Sequence, residues 1–292
     1  MLPFGPPMAT RLEARTSVIT SRISGPLQLV IEAVGEIRSR HRLIRYLVGA
    51  DLRRTATNTA LGKVWWVLDP LMYMAVFTVL VTVIFGRATP DYPIFIFAGI
   101  VPWKWFATAV EDALGSVAGR NKLIKQVQFP KVVLPSAAVL AATYNFAFGL
   151  LAMALLLIVA YPHRVSVYLA LIPVVATVQL VLTFAVCLVG AALNVFFRDL
   201  RLVSGHALRL WFYLSPVLWS FEEHFQNAPP TLVSAASFNP FYTIMSGYRD
   251  LVYYGRPPDF VALAVILGAS LLAAVLGLLF FKWLEPAFAK VL

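Results

Sequence analysis

The chain has 292 residues, of which 60% are hydrophobic and only 13% are charged, and its mean hydropathy is +0.79. Soluble domains carry charge on about 25% of their residues. The composition therefore excludes an ordinary soluble domain and predicts an all-α integral membrane protein. The formal net charge is +10, but the basic residues are spread between apolar runs and form no recognisable nucleic-acid-binding module, so we expect no nucleic acid among the partners.

The amino-terminal region precedes any long apolar run. Residues 1–26 are rich in Arg, Thr and Ser and predict a mobile tail. Residues 27–48 carry apolar side chains at helical spacing and predict an amphipathic interface helix, within a segment 27–64 that leads to the first span. A small soluble packing helix is the alternative. The first 60 residues lack the apolar region of a signal peptide, so we expect the amino terminus to stay inside.

Five apolar runs are long enough to cross about 30 Å of hydrocarbon, which takes about 20 residues. They are residues 65–86, 93–115, 132–160, 168–193 and 259–284. A sixth run, 206–221, is short, and we include it as the fifth of six spans. The membrane domain is thus predicted to cover residues 65–284, with a cytoplasmic carboxyl terminus at 285–292.

The positions of the basic residues predict the orientation of these spans. With both termini inside, the inner segments 1–64, 116–131, 194–209 and 285–292, together with Lys282, hold 19 of the 24 Lys and Arg residues. Positive charge is concentrated in the cytoplasmic loops of membrane proteins. We therefore expect both termini to lie in the cytoplasm.

The segment 120–130, on the predicted inner side, resembles a short amphipathic helix. Leu123, Ile124 and Val127 share one helical face, while Lys122 and Lys125 are displaced from it. Such a helix in a cytoplasmic loop predicts docking against another protein. The alternative is a basic loop that only obeys the orientation rule.

A second charged segment, RDLR, lies between the fourth and fifth predicted spans and contains Arg198, Asp199 and Arg201. It is predicted to form a cytoplasmic turn. Either it only stops the chain at the membrane surface, or it has a specific role in function.

The largest predicted outer segment contains residues 230–255. Its two short apolar stretches are broken by Asn239 and Pro240, and neither is long enough to cross the membrane alone. Broken helices at membrane depth are tolerated where protein or a watery cavity surrounds them. We therefore predict two re-entrant half-helices near the outer mouth.

Motifs for catalysis are absent from the sequence. There is no phosphate-binding G-x-x-x-x-G-K-[ST] loop, no H-E-x-x-H and no G-x-S-x-G. Cys187 is the only cysteine, and the four histidines lack ligand spacing. We therefore predict a chain that is not an enzyme and holds neither a metal nor a cofactor. Lys104, inside the second run, has no assigned role, since a lysine stem can reach a membrane surface.

Six motifs in order resemble the permease subunits of bacterial ABC exporters for polysaccharides, which move O-antigen, capsule, galactan and teichoic acid. They are TALGKVWWVLDPLMYM (59–74), FAGIVPWKWF (97–106), NKLIKQVQFPKVVLP (121–135), NVFFRDLRLV (194–203), FYLSPVLW (212–219) and NPFYTIMSGYRDLVYYGRPP (239–258). The resemblance covers about residues 40–285. It implies an amino-terminal interface helix, six spans, a cytoplasmic coupling helix and short gate helices before the last span.

The resemblance also implies partners and a location. Such permeases act as homodimers in the bacterial cytoplasmic (inner) membrane, with two copies of a separate ATPase subunit that binds ATP and Mg. The implied substrate is a lipid-linked glycan that is moved outward, and membrane lipid is a further expected partner of the permease. An ABC permease for drugs or lipids, and a membrane enzyme acting on polyprenyl-linked sugars, are the alternatives.

The candidate site residues follow partly from the resemblance and partly from residue type and spacing. The ATPase contact is expected at the coupling helix, and RDLR is expected near the inner entrance. Flat rings with polar edges suit a passage for sugars, although most membrane aromatics form belts or pack in the core. The candidates are Asn121, Lys122, Leu123, Ile124, Lys125 and Val127 for the ATPase contact; Arg198, Asp199 and Arg201 for the inner entrance; Trp103, Trp105, Phe106 and Tyr144 for the path; and Asn239, Pro240, Tyr248 and Arg249 for the outer gate.

Overall fold

The computed structural model describes residues 25–56, 61–84, 86, 89–219 and 238–291, and within these ranges all regular structure is helical. The helices are α1 (Pro26–Ser39), α2 (His41–Ala56), α3 (Trp65–Val79), α4 (Tyr92–Ala118), α5 (Asn121–Gln126), α6 (Val133–Ala160), α7 (Ile172–Phe196), α8 (Leu200–Leu214), α9 (Pro240–Arg249) and α10 (Phe260–Val291). The all-α prediction is confirmed for this part of the chain. Most of the predicted tail, 1–26, and the first predicted half-helix lie outside the described residues.

Five helices are long and apolar enough to cross a membrane. They run over Trp65–Ile84, Tyr92–Ala118, Val133–Ala160, Val167–Phe196 and Phe260–Phe288. The first includes a wider helical turn that extends α3 to Ile84, and the fourth includes a tight turn that leads into α7. These helices match five of the predicted spans, so the chain is a multi-pass membrane protein.

The sixth predicted span, 206–221, differs in the structure. Its helix, α8, begins at Leu200, inside the RDLR segment, and has only 15 residues. It ends at Leu214 because Ser215 adopts an extended conformation before Pro216, a position where proline disfavours the helical region. At a rise of about 1.5 Å per residue, α8 is about 22 Å long, which is too short to cross the membrane alone.

The most buried helix is α4, which packs against α3, α6 and α7. Two amide side chains of α7 join it to α4: Gln179 donates to the Pro102 carbonyl at 2.7 Å, and Asn194 donates to the Leu114 carbonyl at 2.7 Å. Both amides are buried, and buried polar groups need such partners. On its other side α7 packs closely against α10 at Gly277, where an added Cβ would lie 3.3 Å from the Ala185 carbonyl oxygen.

The amino-terminal helix predicted at 27–48 is two helices in the structure. The chain turns at Arg40 (φ −95°, ψ 20°), and α2 continues to Ala56. The turn allows α1 to pack along α10 while α2 packs along α6. We call this the inner end of the bundle, after the predicted orientation, and the opposite end the outer end.

A chain of polar contacts joins three helices at the inner end. Lys282 of α10 pairs with Glu36 of α1 at 2.5 Å and with Glu285 at 3.0 Å. Glu285 also accepts a 2.6 Å hydrogen bond from the Lys131 backbone, just before α6. The last helix passes the predicted end at 284 and reaches Val291, because Phe288 is buried against other core rings.

Candidate functional site

Helices α3, α4 and α8 enclose a groove of about 330 Å³. Aromatic rings form much of its wall: Tyr73, Phe77, Trp103, Phe212 and Tyr213. Charged side chains of both signs also line it: Lys104, Glu111 and Arg209. The groove therefore offers flat apolar faces and hydrogen-bonding groups together, at a level occupied by membrane-spanning helices.

The wall behind this groove is a cluster of aromatic rings. Trp103 and Phe106 of α4 meet Phe241 of α9 at centroid distances of 5.0 and 4.6 Å, and Trp211 of α8 meets Phe106 edge-on at 5.2 Å. Edge-on pairs of this kind are favourable because a ring edge is positive and a ring face negative. Of the two predicted path residues here, Trp103 lines the groove, whereas Phe106 is fully buried behind it.

The other two predicted path residues lie apart from the groove. Trp105 stacks on Phe146 with a centroid distance of 4.2 Å, donates to the Thr143 hydroxyl at 3.2 Å and lines a second cavity of about 210 Å³. Tyr144 is 55% exposed and lines neither cavity. The structure therefore does not bring the four predicted path residues together.

An ion pair between Lys104 and Asp69 is the feature of this region that the sequence analysis missed. Lys104 of α4 donates to the Asp69 carboxylate of α3, and its ammonium group lies 4.2 Å from the centroid of the Tyr73 ring. The missed signal was Asp69 itself, an acid inside a predicted span. Such residues are functional candidates by default because charge at that depth is costly.

A polar cavity of about 500 Å³ lies at the inner end of α4 and α8. It is lined by Asp51 of α2, Asp112 of α4, Arg120 just after α4, and Arg201 of α8. The Arg201 guanidinium carbon lies 3.4 Å from the place a Cβ on Gly115 would take, so the absence of a side chain there permits its close approach.

The three RDLR residues predicted near the inner entrance do not share one position. Arg201 lines the polar cavity and lies in the first turn of α8, while Arg198 and Asp199 remain in the turn before it. The side chains of Arg198 and Asp199 are exposed. The Arg198 side chain makes no ion pair or hydrogen bond with any residue in the described ranges.

The predicted coupling helix, 120–130, is shorter in the structure. Helix α5 has six residues, and Val127 is extended (φ −129°, ψ 130°) and therefore not on the predicted helical face. Leu123 and Ile124 pack into the same chain, against a cluster that includes Ile44 and Val48 of α2. The exposed side chains of the segment are those of residues 125–128, and Val127 is 49% exposed. Asn121 begins α5, and the side chain of Lys122 lies outside the described residues.

Four predicted outer-gate residues lie on α9 or at its start. Asn239 caps the helix by accepting from the Phe241 backbone at 3.1 Å, and its amide donates to the Ser215 hydroxyl at 2.9 Å. Pro240 occupies the first helical position, where its missing N–H has no cost. Tyr248 is 1% exposed and belongs to the core.

Arg249, the last of the four, is also buried. It donates hydrogen bonds to the carbonyls of Val217 at 2.7 Å and Trp219 at 3.0 Å, and its guanidinium lies 3.9 Å from the Phe95 ring centroid. Arg249 thus fastens the turn after α8 to the outer part of α4 and to α9.

At the outer end, an acid and two basic side chains join separate loops. Asp91, just before α4, bonds to His163 at 2.8 Å and accepts a 2.9 Å hydrogen bond from Arg164. The hydrogen bonds from His163 and Arg164 hold the pKa of the Asp91 carboxyl below its ordinary value of 3.8. Arg164 also donates to the Tyr253 carbonyl at 2.8 Å, so the cluster joins the α3–α4 loop, the α6–α7 loop and the turn after α9.

The sequence was compared with known proteins. A family model described as ABC-2 type transporter matches residues 42–253. The chain is 33% identical, over 82% of its length and 92% of the relative's, to a protein of Myxococcus xanthus called O-antigen export system permease protein RfbA. It is 26% identical to a Klebsiella pneumoniae protein of the same name, over 86% of this chain and 95% of that one.

A more distant relative is the polysialic acid transport protein KpsM of Escherichia coli, which is 19% identical over 81% of this chain and 91% of the relative. The family match alone spans well over half of the chain, from α2 to the turn after α9. It therefore includes the groove, the inner polar cavity and the short helix α5. The chain belongs to the ABC-2 type transporter family.

Proposed function

We propose that the chain is the permease subunit of an ATP-driven ABC exporter that moves a lipid-linked polysaccharide from the cytoplasmic face of the bacterial inner membrane outward. Two copies form a homodimer, and two separate ABC ATPase subunits bind and hydrolyse ATP with Mg. The observation that carries the proposal is the similarity over nearly the full length of an O-antigen export permease. ATP hydrolysis is assigned to the partner because no phosphate-binding loop occurs in this sequence.

Six crossings are part of this proposal, with α8 and the turn after it as the fifth. Arg201, in the first turn of α8, lies against Gly115 near the inner end of α4, whereas Val217 lies against Gly99, toward its outer end. Sixteen residues of α4 separate these two contacts, about 24 Å of helix. This displacement across the bundle supports a fifth crossing, with both termini in the cytoplasm.

In the proposed homodimer, the groove between α3, α4 and α8 forms part of the path. Over Trp65–Ile84 the described side chains are almost all accessible, and Pro70 alone is buried. Helix α8 likewise buries only Leu208. The exposed faces of these two helices, which lie beside the groove, support a dimer in which a second copy of the chain closes the groove into a passage.

The proposed contact with the ATPase subunits is the exposed part of the α5 segment, residues 125–128. Leu123 and Ile124 bind this segment to α2 within the same chain. A push on the exposed side chains would therefore be transmitted to α2 and to the start of α6. The original candidates Leu123 and Ile124 become anchors of the segment in this arrangement.

The test of the proposed function is a clean deletion complemented by the wild-type chain. We expect the deletion strain to lose surface glycan and to accumulate lipid-linked glycan inside, and the tagged permease to co-purify with an ABC ATPase subunit. Unchanged surface glycan, with ATPase stimulation by drugs or lipids, would assign the chain to a different ABC substrate. Altered glycan chemistry without accumulation would favour a membrane enzyme.

The proposed topology has its own experiment. Cys187 is buried and is the only cysteine in the sequence. Once Cys187→Ala is shown to export normally, a single cysteine added to that variant is the only residue that a thiol reagent can label. An impermeant thiol reagent applied to intact cells should label a cysteine at position 163 and spare those at positions 10, 125 and 290. Labelling at position 125 contradicts the six-span arrangement.

A further inference from the structure

Lys104 lies too deep in α4 for its charge to reach either end of that helix. It is 12 residues from Tyr92 and 14 from Ala118, which is about 18 Å and 21 Å of helix. A lysine can extend its charged end only a few ångströms along a helix. The ammonium group instead pairs with Asp69 of α3, whose carboxylate lies at the same level.

This pair remains accessible although it lies within two spans. The Lys104 side chain is 28% exposed and that of Asp69 is 48% exposed. Charged groups at such depth avoid hydrocarbon and face protein, water or a cavity. Lys104 and Thr108 line both the groove of about 330 Å³ and the cavity of about 210 Å³, and Asp69 lines the second. The pair therefore borders both open spaces.

The charges around the pair decide which ligand chemistry it suits. Lys104 is paired with Asp69, and the groove is also lined by one further basic side chain, Arg209, and one acidic side chain, Glu111. A phosphate or another anion approaching Lys104 would meet the Asp69 carboxylate, so the site is a poor anion site. An uncharged hydroxyl suits it well, because a carboxylate oxygen accepts hydrogen bonds and an ammonium group donates them.

The ring of Tyr73 adds a flat surface beside the pair. It is 48% exposed, lines the groove and lies 4.2 Å from the Lys104 ammonium group. A sugar ring has an apolar face and hydroxyl edges, so it can stack on an aromatic ring while its hydroxyls meet the two charged groups.

We propose that Asp69, Lys104 and Tyr73 form a binding site for the uncharged sugar rings of the passing glycan. The proposal rests on the export function proposed above and assigns to that path the residues that contact the hydroxyl groups. The ion pair thus keeps two hydrogen-bonding groups at mid-membrane at no net charge, where the glycan can use them in turn.

Two double variants test the site. D69N/K104Q keeps hydrogen-bond donors and acceptors without charge, and D69L/K104M removes them with little change in volume. Surface glycan and membrane level of the permease are measured in the complemented deletion strain, and export is divided by permease level. We expect D69N/K104Q to keep most of the export and D69L/K104M to lose about tenfold, the effect of one or two hydrogen bonds.

Other outcomes overturn the proposal. Equal export by both double variants and the wild type means that the pair contributes nothing to glycan binding. Equal loss in both means that the charges of the pair, and not its hydrogen-bonding groups, are required. If D69L/K104M fails to reach the membrane, Tyr73→Ala is compared with Tyr73→Phe instead, because only the alanine variant removes the ring. Wild-type export by Tyr73→Ala would then overturn the proposed site. A deletion strain that never loses surface glycan rejects the export function itself, which is a separate result.

Discussion

Arg120 donates two hydrogen bonds of 2.8 Å from one terminal nitrogen to both carboxylate oxygens of Asp51. Asp51 belongs to α2, and Arg120 is the residue that immediately precedes α5. The pair therefore ties the amino-terminal helices to the segment that we propose to contact the ATPase, and it does so through a charge-assisted contact that is stronger than a neutral hydrogen bond.

Breaking this pair should weaken the coupling between ATP hydrolysis and export. Asp51→Asn and Arg120→Gln are each expected to lower export per ATP hydrolysed while the complex still assembles, because hydrogen bonds to charged groups contribute about 1.5–3 kcal/mol. The measurement is glycan export together with ATPase activity of the purified complex. Reversing both charges, D51R/R120D, should recover part of the loss; no recovery would contradict a pairwise role.

Val127 and Ile124 should respond differently to the same substitution. Val127→Asp changes an exposed side chain and is expected to reduce co-purification of the ATPase subunit at normal permease levels. Ile124→Asp places a charge in the inner core and is expected to lower the permease level itself, because burying an unpaired charge is strongly unfavourable. Normal ATPase binding and export by Val127→Asp would contradict the proposed contact.

Arg198 has no side-chain partner among the described residues, which separates two interpretations of RDLR. If Arg198 only holds the chain at the membrane surface, Arg198→Lys and Arg198→Ala should both export normally. If its planar group binds phosphate through two parallel hydrogen bonds, lysine should restore export only in part and alanine should lose it severely. We expect the second pattern, measured as export divided by permease level, with wild-type export by Arg198→Ala as the contrary result.

Arg249 should stabilise the outer end. Val217 is fully buried, and Arg249→Met removes the hydrogen-bond donor to its carbonyl oxygen. A buried acceptor left without a donor lowers the free energy of unfolding by about 1–3 kcal/mol. We expect a lower melting temperature of the purified permease. The control is Arg256→Met, whose side chain is 52% exposed in its pair with Asp250 and should cost at most about 1 kcal/mol. Equal melting temperatures for the two variants would remove Arg249 from this role.

The outer cluster predicts a pH dependence of stability. Hydrogen bonds from His163 and Arg164 lower the pKa of Asp91, so its ionised form stabilises the folded state above the ordinary value of 3.8, and this contribution is lost as pH falls through the lowered pKa. Asp91 has a positive φ of 55°, which asparagine also tolerates. The difference in melting temperature between wild type and Asp91→Asn should therefore be constant near neutral pH and vanish in acid; a difference that persists there would contradict the assignment.

Hydrophobic runs predicted five spans well because their length and composition are local properties of the sequence. For the run 206–221 the helix bounds differ from the prediction, because apolar content alone does not show where Ser215 and Pro216 end a helix or that α8 starts at Leu200. The residues that line the groove were harder to predict from the sequence than the spans. Trp103 and Trp105 are close in sequence, yet only their packing shows that they line different cavities, and nothing in the sequence pairs Asp69 with Lys104.

The contact between Glu36 and Lys282 bears on the order in which the protein matures. Glu36 leaves the ribosome long before Lys282 is made, so α1 cannot acquire this partner until α10 has been synthesised as far as Lys282. Until then α1 must wait on the membrane surface, where its exposed Ile31 and Val34 can enter the lipid interface. Chains truncated before α10 should therefore leave α1 unanchored and accessible to protease, however well the earlier helices have inserted.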